Sequence, residues 1–440
     1  MNLNRNRREF LKQSTLAGAG IWLGKNRASA QNRSPNEKLN IGIIGVNNRG
    51  AANLKAVAAT ENIAALCDVN SDFLAEASAK YPQAKSYSDW RKLVDQKDLD
   101  AVVVSTTEHT HALASIWAMK RGKHVYCEKP LAHSVYEARR MREISKQMKV
   151  TTQMGTQIHA TENYRRVVEL IRSGAIGAVR EVHTWVEQGI DGARERPAEE
   201  MPPPANLNWD LWIGPAPFRP FHACYLEKRS ITWQNWWDFG NGALGDMGSH
   251  INDLPFWALE LQHPLTVEAE GPLPIRKETY PDYLNVRWEH PARGDRPAVK
   301  LTWYDGKAGT PRPKSPEGVD VTKWHLGILF VGDKGTLLSD YSKRILLPEV
   351  SFKNFQPPQP SIPPSLGHHQ EWIQACKTGS PTLCNFDYSG ALIEHNLLGT
   401  VAFRTGKKLE WDPQALKASN CPEADQYIRQ PYRQGWSLEG

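Results

Sequence analysis

Nowhere in its 440 residues does the chain stay apolar for the roughly 20 positions that a membrane-spanning helix needs. It also has no Cys-x-x-Cys pair. The six cysteines, Cys67, Cys127, Cys224, Cys376, Cys384 and Cys421, are scattered, without zinc or thiol-exchange spacing. Only Cys376 and Cys384 stand near enough in sequence to suggest a disulfide, which export would permit and a chain of this length does not need. Net charge is scarce as well. Of the formal +6, a net +5 belongs to the first 30 residues, where six basic side chains face Glu9 alone, leaving about +1 for the rest. A near-neutral body removes the main reason to expect a nucleic-acid partner. The chain does have substance: with 40% apolar and 23% charged residues it reads as globular, with core enough for two or three domains.

The basic amino terminus reads as an address. Arg7-Arg8-Glu9-Phe10-Leu11-Lys12 has the form of a twin-arginine signal, Leu16 to Leu23 is mildly apolar, and Ala28-Ser29-Ala30 offers a cleavage site. Residues 1–30 are therefore expected to direct export through the twin-arginine machinery, to the periplasm or beyond. No stable membrane insertion is expected after cleavage. That route carries proteins already folded, generally around a cofactor loaded inside the cell.

Lys38 to Gly45 is a short β-branched run ending in glycine, and it reads as a buried strand. Gly45-Val46-Asn47-Asn48-Arg49-Gly50 follows, then a helix over Ala51–Ala59. Strand, glycine turn and helix in this order form the setting in which a dinucleotide's pyrophosphate meets a helix N-terminus. Asn47 stands where a second glycine is expected. Asparagine tolerates left-handed φ, so the turn survives with a looser approach to the ligand. The next strand, Asn62–Val69, carries Asp68 at its tip, placed to accept hydrogen bonds from ribose hydroxyls and to repel a 2′-phosphate. NAD is thereby favoured over NADP. Strands over 100–105, 124–127 and 150–154 alternate with helices over 110–121 and 134–148, the pattern of a doubly wound parallel sheet. Ligands on such sheets lie beyond the carboxyl ends of the strands, where Gly45, Asp68, Ser105, Thr106, Glu128 and Lys129 all fall.

In Cys127-Glu128-Lys129-Pro130, the proline biases Lys129 away from helix and forces a turn, more sharply still if its peptide bond is cis. Alone, this could be a solvated ion pair at a strand end. Together with Ser105-Thr106-Thr107-Glu108-His109, however, Gly122 to Pro130 resembles the glucose–fructose oxidoreductase / inositol dehydrogenase (Gfo/Idh/MocA) family, and the likeness covers most of the chain beyond the signal. The resemblance implies that Lys129 is the active-site lysine and that Glu128 lies near the nicotinamide ribose. It implies too that Thr106 and His109 line the cofactor groove. His109 and His111 could instead pair on a metal, but they lack further ligands nearby, and no metal is expected. The bland reading of His111 is a residue packing locally at a helix start.

The carboxyl-terminal half begins with a helix over Thr161–Ser173, stopped by Gly174 and Gly177, and a strand over Val179–Val186. Alternation over 284–289 and 299–303, and a hairpin across Gly332–Gly335, indicate an open sheet with one face covered. The resemblance implies that this sheet is mostly antiparallel and serves homo-oligomer contacts. Proline-rich 356–364 reads as an extended connector, and helices over 368–377 and 389–404 close the chain. The expected fold class is thus α/β: a Rossmann-type parallel sheet over 38–155, an α+β substrate and oligomerisation domain over 156–411, and an extension over 412–440.

Gly242 to Asp253 holds the chemistry of this half. On one helix Asp246, His250 and Asp253 would share a stripe, with Asp246 near the start, where the dipole favours its anion. The carboxylate would orient the imidazole, which could exchange a proton with a substrate hydroxyl. A capping Asp and a buried His are the plain alternative. The family resemblance favours the acid/base pair, since its members keep an Asp-x-x-x-His helix in the active site. Tryptophans 209, 212, 233, 236 and 237 crowd the preceding segment, and one or two are expected to line the cleft against a sugar's C–H face. His159, Tyr164, Arg165, Trp236 and Asp253 are weaker candidates for substrate contact, with Tyr225.

The expected activity is hydride exchange between a nicotinamide and a hydroxyl-bearing carbon, with His250 taking the proton, Asp246 steadying it, and Lys129 stabilising the oxyanion. The substrate implied by the resemblance is a sugar, cyclitol or related polyol. Outside the cytoplasm free NADH would not be recycled, so the cofactor is expected to be held tightly and regenerated on the enzyme. One rival is a glycosidase that oxidises its sugar transiently, though that branch of the family usually lacks a lysine at the position of Lys129. The other is a non-catalytic carbohydrate-binding protein on the same fold.

Overall fold

The computed structural model describes residues 37–189, 195–226 and 232–439; the expected signal over 1–30 lies outside the described residues. Strands β1 (Asn40–Ile44), β2 (Asn62–Cys67), β3 (Lys85–Tyr87), β4 (Ala101–Val104), β5 (His124–Cys127) and β6 (Thr152–Met154) form an all-parallel sheet in the order β3-β2-β1-β4-β5-β6. Its central strands are apolar throughout because helices cover both faces; β4 and β5 are buried at every position. The strand order reverses between β1 and β4. The crevice beyond their carboxyl ends is where an open α/β sheet receives its ligand.

Helices Arg49–Ala58, Glu108–Lys120 and Val135–Met148 match the sequence reading, the last opened by a capping box of Ser134 with Glu137. Helices Ser71–Lys80 and Trp90–Val94 and the short β3 were not read from the sequence. Only Ala77 is buried in the first of these, so it carries no apolar stripe to betray it.

The second sheet has nine strands: β7 (Val179–Val186), β8 (Thr266–Glu270), β9 (Asn285–His290), β10 (Val299–Tyr304), β11 (Leu326–Gly332), β12 (Thr336–Ser339), β13 (Arg344–Leu347), β14 (Leu409–Asp412) and β15 (Lys417–Ala418). Their order is β13-β12-β11-β7-β10-β9-β8-β14-β15, antiparallel except where β7 meets β10. Val286, Trp288, Leu301 and Trp303 turn inward, while Arg287 and Lys300 face out. Cys376 and Cys384 form no disulfide: both are free, buried thiols, and the first packs with Ile41, Ile43 and Trp372 while the second belongs to the main core.

The last helices tie the two sheets together. Trp372 and Ile373 of helix His368–Thr378 share an apolar cluster with β1, β4 and helix Arg49–Ala58. Helix Phe386–Thr405 packs along helix Val135–Met148, and Arg139 of the one clasps Glu394 of the other. The tail then returns to the first sheet: Tyr432 donates to Glu137 at 2.7 Å, and Trp117 Nε1 donates to the Ser437 carbonyl at 3.0 Å.

Candidate active site

The glycine turn is built by close approach. Ser105 N donates to the Ile44 carbonyl at 2.8 Å, and Gly45, at φ +85°, leaves so little room that a Cβ would stand 2.4 Å from the Ser105 carbonyl oxygen. A Cβ on Gly50 would lie 2.1 Å from the Gly45 oxygen. Asn47 was expected to take left-handed φ in place of a second glycine; Asn48 takes it instead, at +47°, as the N-cap of the helix. Gly45, Asn47, Asn48, Arg49, Asp68, Ser105 and Thr106 line one cavity of about 360 Å³. Gly50 lies beneath it and buttresses the turn. The far wall comes from the other half of the chain, through Leu207, Trp212 and Trp233.

Asp68 closes the adenosine end of the expected groove. Its Oδ2 accepts from Val46 N at 3.0 Å and its Oδ1 from Asn70 N at 2.9 Å. Burial pushes its carboxyl above the ordinary value, against the pull of those N–H groups. A carboxylate has lone pairs beyond those two, so further hydrogen bonds remain open to it.

Glu128 lies lower than expected. It is buried, and its Oε1 gathers Arg49 Nε at 3.0 Å, Asn53 Nδ2 at 2.9 Å and Gln157 Nε2 at 3.0 Å. Gly155 makes that position possible, since a Cβ there would meet Glu128 Oε1 at 2.6 Å. Glu128 therefore braces the glycine turn through Arg49 and Asn53 from behind. His109 also departs from expectation. It is buried away from the groove, with Nε2 3.0 Å from the Trp212 carbonyl, and burial takes its imidazole down to about 4. His111 joins the carbonyls of Pro130 (2.7 Å) and Thr106 (3.0 Å), so it fastens the turn after Lys129 to the end of β4. The bond between Lys129 and Pro130 is cis.

Lys129, Asp246 and His250 do come together. Instead of one helix, 242–258 forms three short ones, Gly242–Asp246, Gly248–Ile251 and Asp253–Ala258. Asp246 ends the first, so the helix dipole cannot be what favours its anion. The ammonium of Lys129 does this, in direct contact with Asp246 Oδ1. Burial opposes both charges, yet the pairing outweighs it: Asp246 is held below its ordinary value and Lys129 above.

Asp246 was also expected to orient His250. The structure assigns that task to Thr156, whose Oγ1 is 2.8 Å from His250 Nδ1 and 3.0 Å from the Ser249 carbonyl. A single hydroxyl proton satisfies both contacts only if Thr156 donates to Ser249 and accepts from Nδ1–H. Nε2 is then the bare acceptor of a neutral ring. Burial and the Lys129 charge take this imidazole down to about 3.

The weaker substrate candidates turn away from the site. Asp253 is wholly buried beyond the helix break, accepting from Tyr388 at 2.7 Å and from the His159 ring at 2.9 Å. With Cys384 this pair forms, among the described residues, a group of metal-ligating types within 4.8 Å; the carboxylate is already satisfied there by hydrogen bonds. Tyr164 is buried and donates to the His250 carbonyl at 3.0 Å. Arg165 is buried against Glu371 and Pro363. Trp236 and Tyr225 belong to an aromatic cluster with Trp209 and Phe239. Size and apolar body send these residues to core positions, while Trp212 and Trp233 reach the cavity.

Known proteins share the two domains that carry this site. The family model described as "Oxidoreductase family, NAD-binding Rossmann fold" matches residues 39–156, and its companion "Oxidoreductase family, C-terminal alpha/beta domain" matches residues 165–279. The chain belongs to the Gfo/Idh/MocA oxidoreductase family. Levoglucosan dehydrogenase of Pseudarthrobacter phenanthrenivorans is 26% identical over 228 residues, covering 50% of this chain and 50% of its own. A glycosyl hydrolase family 109 protein of Solibacter usitatus is 32% identical over 197 residues, covering 39% and 43%. The chain thus spans half the length, or less, of these curated relatives. Among solved structures, the WlbA dehydrogenase of Bordetella pertussis, determined with NADH and UDP-GlcNAcA, superposes with a TM-score of 0.61 at 18% identity, over 86% of this chain and 99% of its own. That likeness concerns the fold. Residues 39–156 of this family member are an NAD-binding Rossmann domain, and the tight glycine turn at the switch point fits such a cofactor.

Proposed function

We propose that this family member is an NAD-dependent oxidoreductase acting on a sugar, cyclitol or related polyol. The observation that carries the reading is the meeting of Lys129, Asp246 and His250, together with a cavity at the glycine turn lined by Asp68, Ser105 and Thr106. A bound nicotinamide would supply the hydride acceptor. The protein's part is to handle the proton and the charge. Lys129, kept cationic by Asp246, hydrogen-bonds the oxygen of the reacting hydroxyl and stabilises its anion. His250 accepts the hydroxyl proton at Nε2, which the Thr156 contact leaves free. Asp246 contacts Lys129 directly and reaches the imidazole through its charge alone, which favours the protonated ring. Asp68 at the end of β2 favours NAD over NADP, because a 2′-phosphate would face its carboxylate. The dehydrogenase relative named for levoglucosan supports a carbohydrate substrate.

The Arg7-Arg8 motif supports export by the twin-arginine route, and with it a cofactor that stays bound and is regenerated on the protein. We take the protein to work as a homo-oligomer through its nine-stranded sheet. A second reading, a glycosidase that oxidises its sugar transiently and reduces it again, is favoured by the family 109 relative. Two measurements separate these. Denatured extracts of purified protein should release NAD by mass spectrometry, and a protein that is empty and cannot be loaded would sink both readings. A sugar and glycoside screen should then show net change in nicotinamide absorbance; aglycone release without such change would establish the second reading.

A further inference from the structure

We propose that Tyr341 reads a substrate hydroxyl adjacent to the carbon being oxidised, so that the site selects vicinal diols; this rests on the oxidoreductase reading above. Tyr341 lies on the turn between β12 and β13. Its ring stands edge-on to the His250 imidazole at 6.2 Å and to the Tyr164 ring at 6.3 Å. Its hydroxyl oxygen is buried and has no hydrogen-bond partner among the described residues. Burial, with the nearby charge of Asp246, pushes the phenol up, so it is a hydroxyl donor at any working pH.

The polar groups around it already have partners inside the protein, His250 Nε2 apart. Lys129 is on Asp246, His250 Nδ1 on Thr156, and the Tyr164 hydroxyl on the His250 carbonyl. A phenylalanine would pack as Tyr341 does without stranding a donor, so folding does not explain the hydroxyl. Nor is the turn free to carry it elsewhere. Asn163 Nδ2 donates to the carbonyls of Asp340 (2.9 Å) and Lys343 (3.2 Å), and Arg344 grips Asn163 Oδ1 at 2.8 Å. Asp340 Oδ1 closes the loop by accepting from the backbone of Ser342 and Lys343, each at 2.8 Å. The result is a rigid mount that sets the Tyr341 ring edge-on to the proposed proton acceptor, with its hydroxyl unsatisfied. A substrate whose reacting hydroxyl meets His250 would bring its neighbouring oxygens toward this ring, and one of them is the partner proposed for the Tyr341 hydroxyl. A site with such a donor discriminates sharply against an analogue lacking the oxygen.

The test compares the holoenzyme with its Tyr341→Phe variant on levoglucosan and myo-inositol and on their deoxy analogues lacking the hydroxyl next to the oxidised carbon. With the full polyols the variant should lose about 10-fold or more in kcat/KM, chiefly through KM, the effect of one lost hydrogen bond. With the deoxy analogues the substitution should change kcat/KM by less than about threefold, because the contact is already missing. Equal losses on both kinds of substrate, or none on either, would overturn the proposal. The melting temperature gives an independent reading: an unpartnered hydroxyl should leave it unchanged or raised in the variant, and a fall of several degrees would show a structural bond instead. Wild-type protein that loads NAD but oxidises no polyol would refute the oxidoreductase reading itself, and the proposal for Tyr341 with it.

Discussion

In the proposed mechanism Thr156 is the residue on which the proton chemistry turns, and nothing in the linear sequence marks it. It lies just after β6, far from His250 in sequence, and meets it only because the first sheet ends against the broken helical segment of the second half. Thr156→Val keeps the shape and removes the acceptor for Nδ1–H. The tautomer is then no longer fixed, and kcat should fall about 10- to 100-fold with KM little changed, within the range general-base contributions span. Steady-state kinetics decides this; an unchanged kcat would remove Thr156 from the mechanism. Asp246→Asn tests the other half of the site. Burial already pulls Lys129 downward, and Asp246 is what outweighs it. Without that carboxylate the lysine should titrate below its ordinary value. The alkaline limb of the kcat/KM profile should therefore move to lower pH, and a limb that stays in place would mean that Lys129 does not limit activity there.

Among the elements, what was legible in the sequence was what repeats or stands beside a glycine. The apolar runs of β1, β4 and β5 have no other home than a buried parallel sheet, and the 45–50 turn follows from steric room alone. Lys129 and Asp246 were legible because a proline and three glycines restrict the chain around them. The break at 246–253 was not, because i, i+4 spacing assumes a continuous helix, whereas tight approach of Gly245 to Asn241 and of Gly248 to Leu244 shapes the backbone here. Glu128 and His109 look like groove residues in one dimension; only packing reveals that each points inward. Long-range closure was equally hidden. Helix His368–Thr378 completes the core on one face of the first sheet, though more than 200 residues separate it from β6. Trp372, fully buried in that cluster, should cost about 3–5 kcal/mol when replaced by Ala, the usual range for deleting a large core aromatic. Chemical denaturation should show the loss. A variant that unfolds only the second sheet, leaving the NAD domain at wild-type stability, would contradict this packing.

For the whole molecule, buried ionisable groups of both kinds set the pH range of stability. His109 and His369, each taken down to about 4, and His133, His250, His290 and His368, each to about 3, are neutral when folded. Unfolded, they would bind protons below about 6.5, so acidification through that value destabilises the fold. Glu108, raised to about 8, and Glu137 and Asp305, each to about 7, are protonated when folded and ionise near 4 when unfolded. Their contribution is complete at low pH and is lost as pH rises from about 4 through 7 to 8. Six histidines against three acids make the acid side the steeper, and the melting temperature should peak between about pH 6 and 7. Glu108 isolates the alkaline limb, since its burial beside Asn241 is the main reason that its carboxyl stays neutral. Glu108→Gln keeps the shape and removes the titration. The variant should match wild type near pH 4, where the unfolded wild-type carboxyl has barely begun to ionise. It should be the more stable by pH 8, with a gap widening by up to about 1.4 kcal/mol per pH unit over the intervening range. Parallel melting curves from pH 5 to 9 would show instead that Glu108 ionises freely in the folded protein.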